Sequence, residues 1–494
     1  MIDNYIKLDK EHVLNINVEY DTTIELTPRM LEISTAFGLG VSEKKKFVIF
    51  KDFRIGFSKG DVMYITGDSG GGKTTLLKYI KAYIDSKESD ATSDLDECIF
   101  NKEEIVVDNI GNSAEESIYY LSAMGLNDAF IFLRKFKELS DGQKYRYKLA
   151  KMLSNKPKYL FIDEFSANLD RITAKVISYN LQKMCRKHDI TLFVSTTHDD
   201  LIEDLNSSIV VRKNFMDDVT VTYKDYDKKT ISFYDDVIIE EGTMLDYVKL
   251  KKYHYKNTSK KFPYTKIFRA RYGKEIVGVA VYSPTFLQTK GRNIFFDGKY
   301  STMNKETVSE INRLFIRRSR NIISPKYRGC GLGQKLALNS MLEIKNKKYI
   351  EAINVMGKYT PVNDKIGMTK IEITKETDVP TIKLTNWMKE KGLRLKEIHN
   401  PAYWTGWINS LSSDDKTTIK LLTGKVLHHP KVGLSSKNGR RAEVVKQEKR
   451  YKIVDFDEIK DELLIYIPKL FSGNTIYYIF ENPNWKEDTR QKHL

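Results

Sequence analysis

Gly67-Asp68-Ser69-Gly70-Gly71-Gly72-Lys73-Thr74-Thr75 fits the spacing G-x-x-x-x-G-K-[ST] at every position. Glycines leave the loop free to wrap a polyphosphate and to aim successive backbone N–H groups at its oxygens. Lys73 adds a point charge for the β- and γ-phosphates, and Thr74 a hydroxyl for Mg²⁺. Upstream, Val62-Met63-Tyr64-Ile65-Thr66 is an apolar, β-prone run. Downstream, Leu76, Leu77, Ile80, Tyr83 and Ile84 recur at helical spacing, so the loop opens a helix whose positive dipole end faces the same anion. Gly67 to Thr75 are therefore candidate ATP-binding residues.

A chain of 494 residues and 57.4 kDa has room for two to four domains, each with its own core. The hydrophobic fraction of 41% argues for folded, globular protein and against disorder. Cys98, Cys185 and Cys330 stand far apart in no C-x-x-C spacing, which suits a reducing compartment and offers no zinc site. Met1-Ile2-Asp3-Asn4 opens no basic, then apolar leader, and no stretch of about 18 apolar residues occurs. A soluble, cytoplasmic protein without a membrane partner is expected. The net charge of +16 is unevenly spread: residues 1–250 hold 34 Lys+Arg against 42 Asp+Glu, residues 251–494 hold 48 against 24. The second half is the one suited to a polyanion such as nucleic acid.

Working outward from the loop, Leu14–Tyr20 alternates like a half-buried strand and Phe47–Phe50 is a second strand candidate; both are expected beside the nucleotide-binding sheet. Phe37, thirty residues ahead of Gly67, is either a core aromatic or a base-stacking one. Leu139-Ser140-Asp141-Gly142-Gln143 opens a helical run, Lys144 to Leu153, and forms a second anion-facing helix start. Tyr159-Leu160-Phe161-Ile162-Asp163-Glu164 reads as a buried strand ending in two carboxylates, Asp163 placed to hold Mg²⁺ and Glu164 to act as general base on water. Ala167-Asn168-Leu169-Asp170 follows at once. A third apolar run, Thr191–Thr197, delivers His198 at its C-terminal end, where open α/β sheets place ligands.

These five ordered motifs resemble an ABC-type ATPase. The resemblance matches Ser140, Gly142 and Gln143 to the signature, with Asp141 where a second glycine is usual. It matches Asp163 and Glu164 to the Walker B pair, Asp170 to the D-loop and His198 to the switch histidine. It implies ATP and Mg²⁺, catalysis by Glu164 and His198, and a homodimer in which the signature and D-loop of one chain cap the phosphate loop of the other. Two features set the chain apart. No glutamine lies in Glu104–Asn109, where the family couples to membrane partners, and Asp108 or Asn109 is the nearest substitute. The span from Gly67 to Leu139, about seventy residues, leaves no room for a long coiled coil.

The composition changes between residues 215 and 260, and a domain boundary is expected near 228. Thr265–Tyr272 and Ile276–Tyr282 read as a hairpin. Ile311–Ile316 is β-prone; after it, Arg328-Gly329-Cys330-Gly331-Leu332-Gly333 precedes a helical pattern, Gln334 to Ile344, so bare amides again meet a helix start. With Pro325 and Tyr327, this region resembles the GNAT acyltransferases, whose R/Q-x-x-G-x-G/A loop grips the pyrophosphate of acyl-coenzyme A. The resemblance implies binding of acyl-CoA, in the acetyl form by expectation, at Arg328 to Gly333. Asn363 replaces the tyrosine that often protonates the thiolate, leaving Tyr359 or Asp364 as candidate acid, and Arg317-Arg318-Ser319-Arg320 looks like an insertion at the end of the fourth strand. The GNAT part is loosely similar to Mom-type DNA-modification proteins.

Residues 379–494 suggest no family. Trp387, Tyr403, Trp404, Trp407 and Lys437–Arg441 suit either a nucleic-acid surface or a small core under a basic exterior. His428-His429 reads as a loop pair. The expected architecture is α/β multidomain: an ABC-type P-loop ATPase over 1–228, an α+β GNAT domain over 229–378 and a basic α+β extension over 379–494. The expected function is an ATPase coupled to acyl transfer onto nucleic acid. The alternatives are a nucleic-acid-binding ATPase with an inactive GNAT module, or an ATP-regulated protein or small-amine acetyltransferase.

Overall fold

The computed structural model describes residues 10–21, 27–38, 46–89, 91–225, 230–254, 263–354, 362–372, 379–394, 397, 400–427 and 476–486. The first two strands, β1 (His12–Asp21) and β2 (Lys46–Phe57), pair antiparallel and are joined through a helix, Pro28–Ala36. They form a two-stranded sheet of their own rather than extending the nucleotide-binding sheet. Their apolar faces, including Leu14, Ile16, Phe50 and Ile55, pack into one core with Met63, Ile65 and Leu76 beneath the phosphate loop.

The central sheet has six strands, β3 (Val62–Thr66), β4 (Thr92–Asp94), β5 (Tyr159–Ile162), β6 (Thr191–Ser195), β7 (Ile209–Lys213) and β8 (Val219–Tyr223). Their spatial order is β4-β5-β6-β3-β7-β8, and only the edge strand β8 runs antiparallel. Every residue of β3, β5 and β6 is buried, which is why these segments read as continuous apolar runs: helices cover both faces of a parallel sheet. Because β3, β5 and β6 are parallel and nearly in register (Ile65 opposite Ser195, Ile162 opposite Val194), their C-terminal ends deliver Gly67, Asp163 and Thr196 to one edge.

A second sheet has seven strands: β9 (Val237–Glu241), β10 (Lys266–Tyr272), β11 (Glu275–Ser283), β12 (Phe315–Ile323), β13 (Tyr349–Asn354), β14 (Thr369–Glu372) and β15 (Ile476–Glu481). The order is β14-β15-β13-β12-β11-β10-β9. The expected hairpin is β10–β11. Two expectations fail here. Ile311 to Leu314 belong to a helix, Lys305–Leu314, capped by Asn304, and only Phe315 onward is strand. Arg317 to Arg320 are not an insertion: they lie within β12, whose pairing with β11 shifts between Val281 and Tyr282 so that Ser319 is bulged. β12 and β13 pair parallel over three positions, Phe315 to Arg317 against Tyr349 to Glu351.

The expected third region is not separate throughout. Its strand β15 is inserted between β13 and β14, so residues 476–481 complete the second sheet. The rest of its described part is helical, and Leu384, Met388, Trp404, Trp407 and Ile419 form a small buried core with Trp387 and Tyr403 packed against it. The aromatic residues therefore hold that core together rather than forming a stacking surface. His428-His429 and Lys437–Arg441 lie outside the described residues. Among those residues no helix is long and apolar enough to cross a membrane.

The helix Arg171–Lys187 joins the two sheets. Its Val176 and Tyr179 belong to the core of the second sheet while Ala174, Ile177 and Leu181 belong to the core of the first. Asp204 ties the same boundary by accepting from the Ser232 amide at 2.7 Å and its hydroxyl at 2.9 Å.

Candidate nucleotide site and the second glycine loop

Three glycines of the first loop are required by the packing of the protein itself. Gly67 has φ +125°, and a Cβ there would stand 2.1 Å from the Lys213 carbonyl oxygen; at Gly71 a Cβ would stand 2.9 Å from that same oxygen. Gly72, at φ +105°, caps the helix Lys73–Lys87, and a Cβ there would stand 2.5 Å from Ile49 Cγ2. Asp68, Ser69 and Gly70 form the exposed crest, and Thr75 is half-buried on the helix. The buried Lys73 ammonium donates to the carbonyls of Gly67 at 3.0 Å and Asp68 at 2.6 Å. Burial holds its pKa below the ordinary lysine value, against the opposing pull of Asp163 and Asp68. A cation held on two weak acceptors in this way is poised to exchange them for phosphate oxygens.

Thr74 Oγ1 donates to Asp163 Oδ2 at 2.7 Å. The other oxygen, Oδ1, accepts from the Glu164 amide at 2.9 Å and from the Ser195 hydroxyl. Ser195 is the last residue of β6, a partner the sequence signalled only by its place at a strand end. A hydroxyl and a carboxylate oxygen side by side at a phosphate loop fit a hard divalent cation. Glu164 is exposed and sits at φ +48°, uncommon for a residue with a side chain and concentrated at functional sites. His198 is exposed as well, and its loop is fixed from behind. Tyr64 donates its hydroxyl to the His198 carbonyl, the His198 amide donates to Thr196 Oγ1 at 3.3 Å, and the Thr66 hydroxyl donates to Asp199 at 2.7 Å.

Ser140 caps the helix Asp141–Ser154, with its amide donating to Gln143 Oε1 at 3.0 Å. Asp141 lies in the exposed first turn, paired with Lys144 at 3.3 Å. Gly142 packs on the segment Ala167–Asp170, its Cβ position 3.3 Å from the Asn168 carbonyl oxygen. Asp170 caps the next helix by accepting from Thr173 N at 3.1 Å and Thr173 Oγ1 at 2.6 Å. Burial alone would raise its carboxyl, but these bonds and nearby Lys326 bring it below its ordinary value. No hydrogen bond among the described residues joins Ser140–Gln143 to Gly67–Thr75 within the chain. Asn109, a nearest substitute for the coupling glutamine, is engaged with Asn101, and Asp108 is exposed.

Phe37 is 76% exposed at the end of its helix and does not line the cleft beside the phosphate loop. Tyr20 does. That cleft, about 620 Å³, is bounded by Asn17 to Tyr20 of β1 and by Thr74, Thr75 and Lys78. Nothing in the local pattern distinguishes Tyr20, because its pairing with Phe47 spans a long connection.

At the second glycine loop, Leu332–Leu342 is a helix starting after Gly331, which has φ +89° and no side-chain cap. Arg328, expected to face a pyrophosphate, instead binds protein. Its Nε donates to the Ile323 carbonyl at 2.7 Å, Nη2 to the Tyr253 carbonyl at 3.2 Å, and Nη1 to Asn127 O and Oδ1 at 3.3 and 3.1 Å. Gly329 is pressed on the helix Arg171–Lys187: a Cβ there would meet Asn180 Nδ2 at 2.5 Å. The Cys330 thiol is buried, donates to the Tyr327 carbonyl and is pushed up to about 12 by burial. Only Gly331, Leu332 and Gly333 retain the expected placement at a helix start, so the loop fits a pyrophosphate in part and Arg328 does not. Of the candidate acids, Tyr359 lies outside the described residues; Asp364 is exposed and accepts from the Tyr478 hydroxyl at 3.1 Å. Asn363 is buried and accepts from Arg318.

No family model matches the chain. Its N-terminal part is similar to ATP-binding cassettes at low identity. It is 27% identical over 179 residues to the alpha-hemolysin translocation ATP-binding protein HlyB of Escherichia coli, covering 29% of this chain and 25% of the relative. It is 26% identical over 211 residues to the methionine import ATP-binding protein MetN of Streptococcus agalactiae, covering 35% and 58%. The chain thus spans about a quarter to somewhat over half the length of these curated relatives. Among solved structures it is similar to the dimeric ATP-binding cassette MJ0796 bound to ADP and Pi, at 17% identity and TM-score 0.31, covering 42% of this chain and 98% of the other.

Proposed function

We propose that this chain is an ABC-type ATPase that binds ATP with Mg²⁺, closes as a homodimer and uses hydrolysis to act on its second sheet, which is a GNAT-type unit serving a nucleic-acid acceptor. The observation that carries the first part is the Thr74–Asp163 contact at 2.7 Å beside a loop in which a Cβ at Gly67, Gly71 or Gly72 would collide with the protein. In this reading Gly67 to Thr75 hold the phosphates, Thr74 and Asp163 hold the cation, and Tyr20 stacks on the base. Glu164 takes a proton from the attacking water, and His198 orients the γ-phosphate. Mg²⁺, when bound, neutralises charge on the β- and γ-oxygens. Ser140, Gly142 and Asp170, which have no bond to the loop of their own chain, are available to a partner's loop. A cytoplasmic location goes with this reading.

For the second unit, support comes from a glycine loop that follows a bulged strand, β12, at the point where it parts from its parallel neighbour β13. The engagement of Arg328 with Asn127 and Tyr253 favours a binding module over a working acyltransferase, so no transfer step is assigned. The test is ATP turnover by the full chain with and without single-stranded and duplex nucleic acid, alongside mass spectrometry of nucleosides from expressing cells. Stimulated turnover that is lost in Lys73→Ala, with no new nucleoside mass, supports the module. A new acylated nucleoside restores transfer chemistry, and turnover indifferent to every nucleic acid removes the acceptor.

A further inference from the structure

The turn that carries Glu164 is held in an unfavourable conformation. Glu164 and Ser166 stand at φ +48° and +67°, the left-handed region in which a residue with a side chain is uncommon. Ser166 is 1% exposed, and its hydroxyl has no hydrogen-bond partner among the described residues. A left-handed backbone and a buried, unpaired hydroxyl both cost stability, so the surroundings must hold this turn in place.

It is hooked from outside at two successive amides. The Phe165 amide donates to the Ser195 carbonyl at 2.8 Å, which ties the turn to the end of β6. The Ser166 amide donates to the Tyr145 hydroxyl oxygen at 3.0 Å. Inside the turn, the Ala167 amide donates to the Glu164 carbonyl at 3.1 Å and the Leu169 amide to the Ser166 carbonyl at 3.1 Å. The conformation fixed at Ser166 therefore bears on Glu164 on one side and on residues 167–169 on the other.

Tyr145 comes from a different element. It lies on the helix Asp141–Ser154, just beyond Ser140–Gln143, and is buried. Gly142 of the same helix packs on the far end of the turn: a Cβ there would stand 3.6 Å from Leu169 Cδ2 as well as 3.3 Å from the Asn168 carbonyl oxygen. Tyr147, two residues on, supplies a contrast, because it is also buried but its hydroxyl has no partner among the described residues.

We propose that Tyr145 is a positioning residue for Glu164, and that its hydroxyl makes hydrolysis at a chain's own nucleotide depend on how the helix Asp141–Ser154 of that chain is seated on the partner's nucleotide. The inference rests on the ATP-closed homodimer proposed above and adds the regulation of its sites. In that dimer the start of this helix meets the partner's phosphates, and Tyr145 on the same helix holds the chain's own Glu164 turn. A displacement of the helix reaches Ser166 through one hydrogen bond and Glu164 through the next. Occupancy of one site is thereby linked to turnover at the other.

The full chain is assayed for phosphate release over a range of ATP concentrations at saturating Mg²⁺. Tyr145→Phe removes a single oxygen. Maximal turnover is expected to fall about tenfold, and the Hill coefficient from above one to one. ATP affinity, titrated in the Glu164→Gln background, changes by less than about twofold, and melting falls by about 3–8 °C. Tyr147→Phe, the same chemical change on the same helix, leaves turnover and Hill coefficient as they are. Ser166→Gly added to Tyr145→Phe relieves the left-handed strain, so the fold is secured and turnover returns to within about threefold of the unaltered chain while the Hill coefficient stays at one. Unaltered turnover in Tyr145→Phe overturns the inference, as do an equal loss in Tyr147→Phe, a matching loss of ATP affinity, no recovery with Ser166→Gly, or a Hill coefficient of one before any substitution. Phosphate release that survives Lys73→Ala instead removes the ATPase reading itself, and shows before Tyr145 is touched.

Discussion

Replacing Arg328 separates a structural role from a ligand role. Its guanidinium donates four hydrogen bonds, to Ile323, Tyr253 and both oxygens of Asn127, over 2.7 to 3.3 Å. Hydrogen bonds from a charged donor contribute about 1.5–3 kcal/mol each when well formed, and two of these are long. Arg328→Ala also leaves these part-buried carbonyls without that donor. A total loss of about 3 kcal/mol follows, with the bond to Ile323 and the pair to Asn127 carrying most of it. That is more than a hundredfold in the folding equilibrium and lowers the first thermal transition by about 6–12 °C. Arg328→Lys keeps the charge but not the fork, and loses about half as much. The assay is differential scanning calorimetry of the full chain, with equilibrium binding of acetyl-coenzyme A measured alongside. An unchanged transition together with lost coenzyme A binding would refute the reasoning and return Arg328 to the pyrophosphate.

Further expectations follow from the nucleotide site. Gly67→Ala places a methyl 2.1 Å from a backbone oxygen that cannot retreat, so ATP binding is lost or the protein fails to fold, read by calorimetric titration and circular dichroism. Tyr20→Ala weakens ATP binding about tenfold, the loss of one stacked base, whereas Phe37→Ala leaves it unchanged in the same titration. Ser195→Ala removes the hydroxyl that orients Asp163 and lowers turnover at limiting Mg²⁺ more than at saturating Mg²⁺, seen in a metal titration of phosphate release.

Motifs confined to a few consecutive residues were legible in the sequence. The glycine loop Gly67–Thr75, the Asp163-Glu164 pair and Ser140–Gln143 each follow one strand or open one helix, so local pattern suffices to place them. What the sequence hid depends on distant partners. Arg328 looks like a ligand residue until Asn127, two hundred positions away, is seen to occupy it. β15 joins the second sheet after a connection of about a hundred residues from β14, which no local periodicity can signal. Ile311 and Leu314 sit in a β-prone stretch, yet the Asn304 cap and their three-residue spacing make them the buried face of a helix. The place of Tyr20 beside the loop is set by pairing across the helix Pro28–Ala36, beyond the reach of local pattern. Composition alone could not tell that the tryptophans of the C-terminal region face inward.

The central claim is that the loop, Asp163 and Glu164 make an ATP-closed cassette. It is tested most directly by light scattering and phosphate release on Glu164→Gln with ATP and Mg²⁺. The account requires ATP to bind, phosphate release to fall to background and the mass to double, with doubling lost in Lys73→Ala. Sustained hydrolysis in Glu164→Gln, or an ATP-bound chain that stays monomeric, would contradict it.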